Sequence, residues 1–105
     1  MDNQHRKISG YRELSEQEIK LMNEIKALGP MIETVVEKVK AHVAKQQLAA
    51  MNGSQSPDND IMKTAQAEAE RINDATPERF AALAKTEFQT GLMYLTRAVA
   101  QPTFF

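Results

Sequence analysis

Hydrophobic side chains recur at three- and four-residue steps through most of the chain, which is the period of an α-helix with one apolar face. The strict alternation of a half-buried strand is absent. The pattern therefore predicts an all-α fold with a short N-terminal helix over residues 14–28. A second helix over 30–51 and a third over 60–100 are expected to form a long antiparallel hairpin. A chain of this length fits a single domain covering 1–105.

Capping signals place the ends of the first helix. Ser15 and Glu18 have the spacing of a capping box, in which each side chain bonds the other residue's backbone N–H. Gly29 is expected to end the helix in a left-handed conformation, and Pro30 to begin the next helix at its first position. Residues 1–13 are polar and partly basic, and we interpret them as an extended N-terminal arm.

Polar residues separate the two long helices. The segment 52–59 (NGSQSPDN) is rich in turn-forming residues and predicts the loop of the hairpin. The third helix is expected to break near 74–77, where Thr76 is an N-cap residue and Pro77 suits the first helical position. Gly91 lies inside the last segment, where glycine costs about 1 kcal/mol relative to alanine. We therefore expect another helix to approach closely at Gly91.

Composition narrows the possible functions. The 105 residues include no cysteine, which excludes thiol nucleophiles, disulfides and thiolate zinc sites. Thirteen Lys and Arg against fourteen Asp and Glu give a net charge of −1, which argues against binding DNA or RNA. No apolar run reaches the roughly 18 residues of a membrane helix, and no secretory leader pattern is visible. We expect a cytoplasmic protein without a membrane segment.

Motifs for catalysis and metal binding are missing from the sequence. His5 and His42 are far apart, and neither has a partner at metal-ligand spacing. The run Asp58, Asn59, Asp60 lacks the ligand alternation, glycine and terminal glutamate of a calcium loop, which favours a solvated turn and helix cap. There is neither a glycine-rich phosphate loop nor a nucleophile elbow. We expect no enzyme activity, no catalytic residue, no metal site and no cofactor.

The N-terminal arm concentrates groups that suit a small phosphorylated ligand bearing a base. Within eight residues it contains His5, Arg6, Lys7, Ser9, Gly10, Tyr11 and Arg12. A tyrosine ring stacks on a base for about 1–3 kcal/mol, and cations meet phosphate oxygens. The alternative is a polar terminus without a ligand, whose tyrosine packs on the first helix. Lys20 and Lys26 add two cations on that helix, and periodicity does not choose between them.

The C-terminal helix carries an apolar stripe that we interpret as core or subunit interface rather than a cofactor site. Its members include Phe80, Phe88, Leu92, Tyr94 and Leu95. Arg97 on the same helix is either a surface cation or one half of an interface ion pair, and the sequence leaves both readings open.

Two segments of the chain are similar in sequence to a known protein family. They are residues 5–26 (HRKISGYRELSEQEIKLMNEIK) and residues 84–99 (AKTEFQTGLMYLTRAV), the latter followed by Gln101 and Pro102. Together they cover about 38 of the 105 residues, and GYRELSEQEI is the specific part. Both segments resemble the anti-CBASS cyclic-nucleotide sponge family of tailed bacteriophages.

The resemblance implies a non-enzymatic phage protein that acts in the cytoplasm of the infected bacterial host. Bacterial CBASS defence makes cyclic di- and trinucleotides that activate cell-killing effectors. Members of the family sequester these messengers without cleaving them. The family fold is a small helical protomer assembled as a homohexamer, a trimer of dimers.

The resemblance also assigns site residues. In the family's dinucleotide pocket an arm tyrosine stacks on a base and a helix lysine meets a phosphate, and these roles fall on Tyr11 and Lys26. Ser9, Gly10 and Arg12 are weaker candidates beside them. The implied ligands are cyclic dinucleotides such as 3′,3′-cGAMP.

Family members can also bind cyclic trinucleotides at a separate pocket between three protomers. Arg71 and Arg79 are the candidates for such a site here. A function of another class stays open: a small helical oligomeric adaptor or assembly protein that binds another protein, which the long amphipathic helices and the apolar C-terminal tail favour.

Overall fold

A computed structural model describes residues 12–104 of the chain. These residues contain three α-helices and no strand. The helices are α1 (Glu16–Gly53), α2 (Asn59–Ala75) and α3 (Pro77–Ala100). The prediction of an all-α fold is confirmed over this range. None of the three helices combines the length and the apolar character that crossing a membrane requires.

The predicted boundary at Gly29 and Pro30 is wrong, because α1 runs through both residues and joins the ranges 14–28 and 30–51. A proline inside a helix removes one backbone hydrogen bond, here the one to the Lys26 carbonyl, and its ring crowds the Cβ of the preceding residue. Gly29 has no Cβ, so this clash does not arise. A Cβ built at Gly29 would meet Leu92 Cδ1 at 3.9 Å, which makes Gly29 a packing position against α3 rather than a cap.

The predicted capping box at the start of α1 is confirmed. The Ser15 backbone N–H donates to Glu18 Oε1 at 2.8 Å, and the Glu18 N–H donates to Ser15 Oγ at 3.2 Å. These two bonds satisfy donors that have no partner inside the helix. The negative charge of Glu18 also lies at the positive end of the helix dipole.

Arg12 connects this capping box to the C-terminal end of α3. Its guanidinium pairs with the Glu18 carboxylate, while Nε donates to the Ala100 carbonyl at 3.0 Å and Nη2 to the Val99 carbonyl at 2.6 Å. Carbonyls in the last turn of a helix lack intrahelical donors and favour a cation. One side chain therefore caps α3 and orients the carboxylate that caps α1. We call Arg12, Glu18 and the two carbonyls the Arg12 clamp.

The predicted cap at the start of α2 is also present. Asp58 Oδ1 accepts the backbone N–H groups of Asp60 at 2.9 Å and Ile61 at 3.1 Å. The connection before it is 54–58, shorter than the predicted 52–59 because α1 continues through Gly53 and α2 begins at Asn59.

The predicted break near 74–77 is confirmed. Thr76 lies in the left-handed region (φ 46°, ψ 55°) and ends α2 by donating its N–H to the Ile72 carbonyl at 3.1 Å. Its own carbonyl accepts the N–H of Phe80 at 3.4 Å, so the same residue precedes the first turn of α3. Pro77 is the first residue of α3, as predicted.

The chain divides into two compact units with different cores. Unit 1 combines the residues up to 32 with those from 87 on, and unit 2 is Glu33–Thr86. Five hydrophobic residues in the described range are buried, and all of them belong to unit 2: Val36, Val43, Ala50, Ile72 and Ala81. The apolar contacts of unit 1 come from half-buried side chains such as Ile25 and Leu92. The prediction of one domain over 1–105 stays a prediction.

Glycine substitutions test the packing of the protomer. A Cβ at Gly53 would lie 2.6 Å from the Cβ of Ala65, so Gly53→Ala should lower the free energy of unfolding by about 1–3 kcal/mol through overpacking. At Gly91 no atom of the described residues lies within 4 Å of a built Cβ, so the close approach expected there is absent from this part of the protomer. Gly91→Ala should therefore stabilise the chain by up to about 1 kcal/mol. Urea unfolding of both variants checks this. A destabilised Gly91→Ala chain would contradict the open surroundings of Gly91.

Acid titration tests the Arg12 clamp. The Arg12 hydrogen bond, followed by the bond from the Ser15 N–H, lowers the pKa of Glu18 from 4.5 to about 2. Since this pKa is lower in the folded chain, the contribution of the carboxylate to stability is complete above pH 4.5 and lost as the pH falls toward 2. Glu18→Gln can still form a capping box but cannot titrate. The Tm advantage of wild type over Glu18→Gln should be constant near neutral pH and shrink below pH 4.5. A pH-independent difference would contradict the clamp.

Candidate functional site

An open groove of about 510 Å³ lies on unit 1, between α1 and the C-terminal half of α3. We call it the Lys26 groove. Its lining consists of Ile25, Lys26, Gly29, Leu92, Met93, Thr96, Arg97, Ala100 and Pro102.

Helical spacing explains why these side chains share one groove. Ile25 and Gly29 are four residues apart on α1, and Leu92, Thr96 and Ala100 follow the same step on α3, so each set lies on one face of its helix. The Thr96 hydroxyl donates to the Leu92 carbonyl at 3.0 Å, which satisfies it within α3. The groove is therefore mainly apolar. Among the described residues, its lining carries two cations, Lys26 and Arg97, and no carboxylate.

Lys26 is the predicted site residue that the structure places in this groove. It is exposed, and it makes no ion pair or hydrogen bond with any residue between 12 and 104. Lys20, on the same helix, is not part of the lining. The structure thus distinguishes two lysines that periodicity could not.

The sequence left open whether Arg97 is a surface cation or one half of an interface ion pair. The structure places Arg97 in the groove lining. Its Nη2 donates to the backbone carbonyl of Phe104 at 3.1 Å. The chain turns back after α3 through Gln101, which has a φ of 51°, and Pro102 then adds to the groove lining. No local signal in the sequence could have placed Arg97 near Lys26, because the contact of α1 with α3 that joins them is long-range.

The other predicted residues of the dinucleotide site belong to the arm. Ser9, Gly10 and Tyr11 lie outside the described residues. Arg12 makes four hydrogen bonds within the Arg12 clamp, and a guanidinium has five N–H donors. Its described contacts are therefore structural, and its role toward a ligand stays a prediction. The clamp nevertheless fixes Arg12 beside the groove, since Ala100, whose carbonyl it binds, is part of the lining.

A second open groove, of about 540 Å³, lies on unit 2 between α1 and α2. It is lined by Gln46, Ala49, Ala50, Gly53, Asp60, Ile61, Thr64, Ala65 and Glu68. The part of this lining that the structure describes has two carboxylates and no cation, so it is unsuited to a phosphate.

Arg71 and Arg79, the candidates for a second ligand site, line neither groove. Arg71 forms a two-point ion pair with Glu68 one helical turn earlier, and this bond lowers the pKa of the Glu68 carboxyl. The Arg79 guanidinium lies 5.5 Å from the centre of the Phe80 ring. Their assignment to a trinucleotide site stays a prediction. Within the described range, His, Asp and Glu side chains form no group of three or more that could hold a metal ion.

Comparisons with known proteins place this chain in a family. The Acb2/Tad1 hairpin domain matches residues 6–100. The Anti-CBASS protein 2 of Pseudomonas phage JBD67 is 42% identical over 106 aligned positions, which cover 97% of this chain and 97% of that protein. The family match includes α1 through α3 and both walls of the Lys26 groove. The chain belongs to the Acb2/Tad1 hairpin-domain family.

Proposed function

We propose that this chain is a phage anti-CBASS protein that binds cyclic dinucleotide messengers and sequesters them intact. The observation that carries the proposal is the Lys26 groove, in a chain of the Acb2/Tad1 family. Its lysine has no ion-pair partner among residues 12–104 and lies among apolar side chains. The identity of 42% to a protein named Anti-CBASS protein 2 supports the same biological role.

The chemistry of the groove matches that of a cyclic dinucleotide such as 3′,3′-cGAMP. The ligand has two phosphate diesters and two bases, so it needs cations and apolar surface in the same place. The groove offers Lys26 and Arg97 without a competing carboxylate, and side chains such as Ile25 and Leu92 provide apolar contact. A net charge of −1 is compatible with such a ligand, because only a few local cations are required.

Tyr11 is the proposed partner of a base. Arg12, the next residue in the sequence, donates to the backbone carbonyl of Ala100, and Ala100 lines the groove. This supports a role for the tyrosine at the groove of Lys26, where ring stacking would add about 1–3 kcal/mol per base. Ser9 and Gly10 remain weaker candidates from the same arm.

We also propose that the chain works as a homo-oligomer, a hexamer built as a trimer of dimers. Support comes from sixteen large hydrophobic residues that are exposed in the described part of the protomer, among them Met93 and Tyr94, each 70% exposed. Monomeric proteins rarely leave large contiguous apolar patches uncovered. An isologous dimer would present Tyr11 and Lys26 twice, once for each half of the ligand.

Sequestration requires tight binding of the ground state only, with no stabilised transition state. The proposed protein is therefore not an enzyme, and it acts in the cytoplasm of the infected bacterium, where the messengers are made.

The proposal also includes binding of cyclic trinucleotides at a second site that involves Arg71 and Arg79.

Recovery of the ligand distinguishes a sponge from an enzyme. When protein is incubated with 3′,3′-cGAMP, denatured and chromatographed, we expect all of the nucleotide to return as the cyclic form. A parallel incubation without protein controls for spontaneous hydrolysis. Linear dinucleotide or mononucleotides above that control would overturn sequestration and indicate a phosphodiesterase.

Lysine substitutions test the groove. Lys26→Ala should weaken 3′,3′-cGAMP binding at least tenfold in calorimetry, because a hydrogen bond to a charged group is worth about 1.5–3 kcal/mol. Lys20→Ala, on the same helix but outside the groove, is the matched control and should bind like wild type. Equal affinities for all three proteins would show that the ligand binds elsewhere.

The exposed apolar side chains also fit a different function, that of a helical adaptor for another protein. The two functions predict different results. An adaptor would show no thermal shift with any cyclic nucleotide and would copurify from infected cells with one stoichiometric protein partner. A sponge shows the thermal shift without that partner.

A further inference from the structure

Arg97 differs from the other arginines in the described part of the chain by what it binds. Arg12 and Arg71 each pair with a carboxylate, and Arg79 lies over an aromatic ring. Arg97 donates to a neutral acceptor, the Phe104 backbone carbonyl, and forms no ion pair with residues 12–104. No carboxylate among residues 12–104 therefore compensates its positive charge.

The place of this uncompensated charge is the Lys26 groove. Arg97 and Lys26 approach the groove from different helices, α3 and α1, and no acidic side chain accompanies them in the lining. Arg97 is exposed, so an anion can reach it without rearrangement of the helices. Two cations from opposite walls favour an anion that has more than one negatively charged oxygen to share.

The bond to Phe104 is of the kind that a phosphate would displace. A hydrogen bond between a guanidinium and an ionised oxygen is roughly twice as strong as one between neutral groups, and it can be bidentate. A peptide carbonyl is a single neutral acceptor. A phosphate diester in the groove would thus take over Arg97 and release the carbonyl of Phe104 to water.

We infer that Arg97 is a second phosphate-contacting residue of the Lys26 groove. The inference rests on the proposed function and deepens it, because it adds a cation to those that the family resemblance assigns. Each protomer then contributes two cations to the phosphates of the ligand. The planar guanidinium of Arg97 can bind two oxygens of one phosphate at once, whereas a lone halide offers a single acceptor.

The test compares the affinity of wild type, Arg97→Gln and Arg97→Lys for 3′,3′-cGAMP by calorimetry. Arg97→Gln should weaken binding about 10- to 100-fold through loss of a charge-assisted hydrogen bond. Arg97→Lys should recover part of the loss because it keeps the charge but not the bidentate geometry. Lys63→Gln removes one exposed cation on α2 outside both grooves and should bind like wild type.

The salt dependence of binding distinguishes a direct contact of Arg97 with phosphate from an indirect, structural role. If Arg97 contacts phosphate, the affinity of Arg97→Gln should fall less steeply than that of wild type between about 50 and 300 mM NaCl, because one screened ion pair is missing. Thermal unfolding without ligand should change little, since the side chain makes one exposed hydrogen bond.

The outcomes separate the two proposals. Unchanged affinity in Arg97→Gln, with Lys26→Ala still defective, would overturn the role of Arg97 and leave the proposed function standing. Weaker binding with an unaltered salt dependence would also overturn it, since the loss would then be indirect. Absence of binding by wild type would overturn the proposed function itself.

Discussion

The pairing of Arg12 with both Glu18 and the end of α3 is the interaction on which unit 1 depends. All the buried hydrophobic residues of the described chain are in unit 2, so α1 and α3 are in contact within the described part of unit 1 through apolar side chains that are at most half-buried. The clamp adds directional bonds to this thin core. It joins the first turn of α1 to the last carbonyls of α3, Val99 and Ala100. The Lys26 groove has its walls on these same two helices, so its shape depends on the clamp.

This arrangement gives Arg12 a structural role, and the ligand contact that the sequence suggested for it stays a prediction. An arginine beside Tyr11 in a basic arm is a natural candidate for a phosphate contact. In the structure its donors are taken by Glu18 and two carbonyls, while the cations that face the groove are Lys26 and Arg97. Arg12 thus has a structural role in the clamp, while Lys26 and Arg97 are the described cations to which we assign a binding role.

Features set by a few neighbouring residues could be predicted from the sequence. The capping box of Ser15 and Glu18, the Asp58 cap and the Thr76–Pro77 break each depend on bonds within four residues, and each is present. The helix boundary predicted at Gly29 and Pro30 is wrong because a Gly-Pro pair, which can end one helix and start the next, can also lie inside one continuous helix. Which of the two occurs depends on the tertiary surroundings: a Cβ built at Gly29 would meet Leu92, more than sixty residues away in sequence.

The candidate site was predictable only in part for the same reason. The resemblance supplied Lys26, and the structure places it in a groove, but neither periodicity nor composition could bring Arg97 to its side. At Gly91 the sequence predicts a close neighbour from the local cost of glycine, and the described residues 12–104 provide none. Its open surroundings lie on a helix that also exposes Tyr94 and Leu95, which is consistent with the proposed oligomer.

Phosphorus NMR of 3′,3′-cGAMP tests the central claim most directly, because it observes the phosphates that the groove is proposed to hold. Addition of the wild-type protein should shift and broaden the phosphodiester signals, and denaturation should return them to their original positions. Unshifted signals at saturating protein would contradict binding. A phosphomonoester signal after denaturation would contradict sequestration without cleavage.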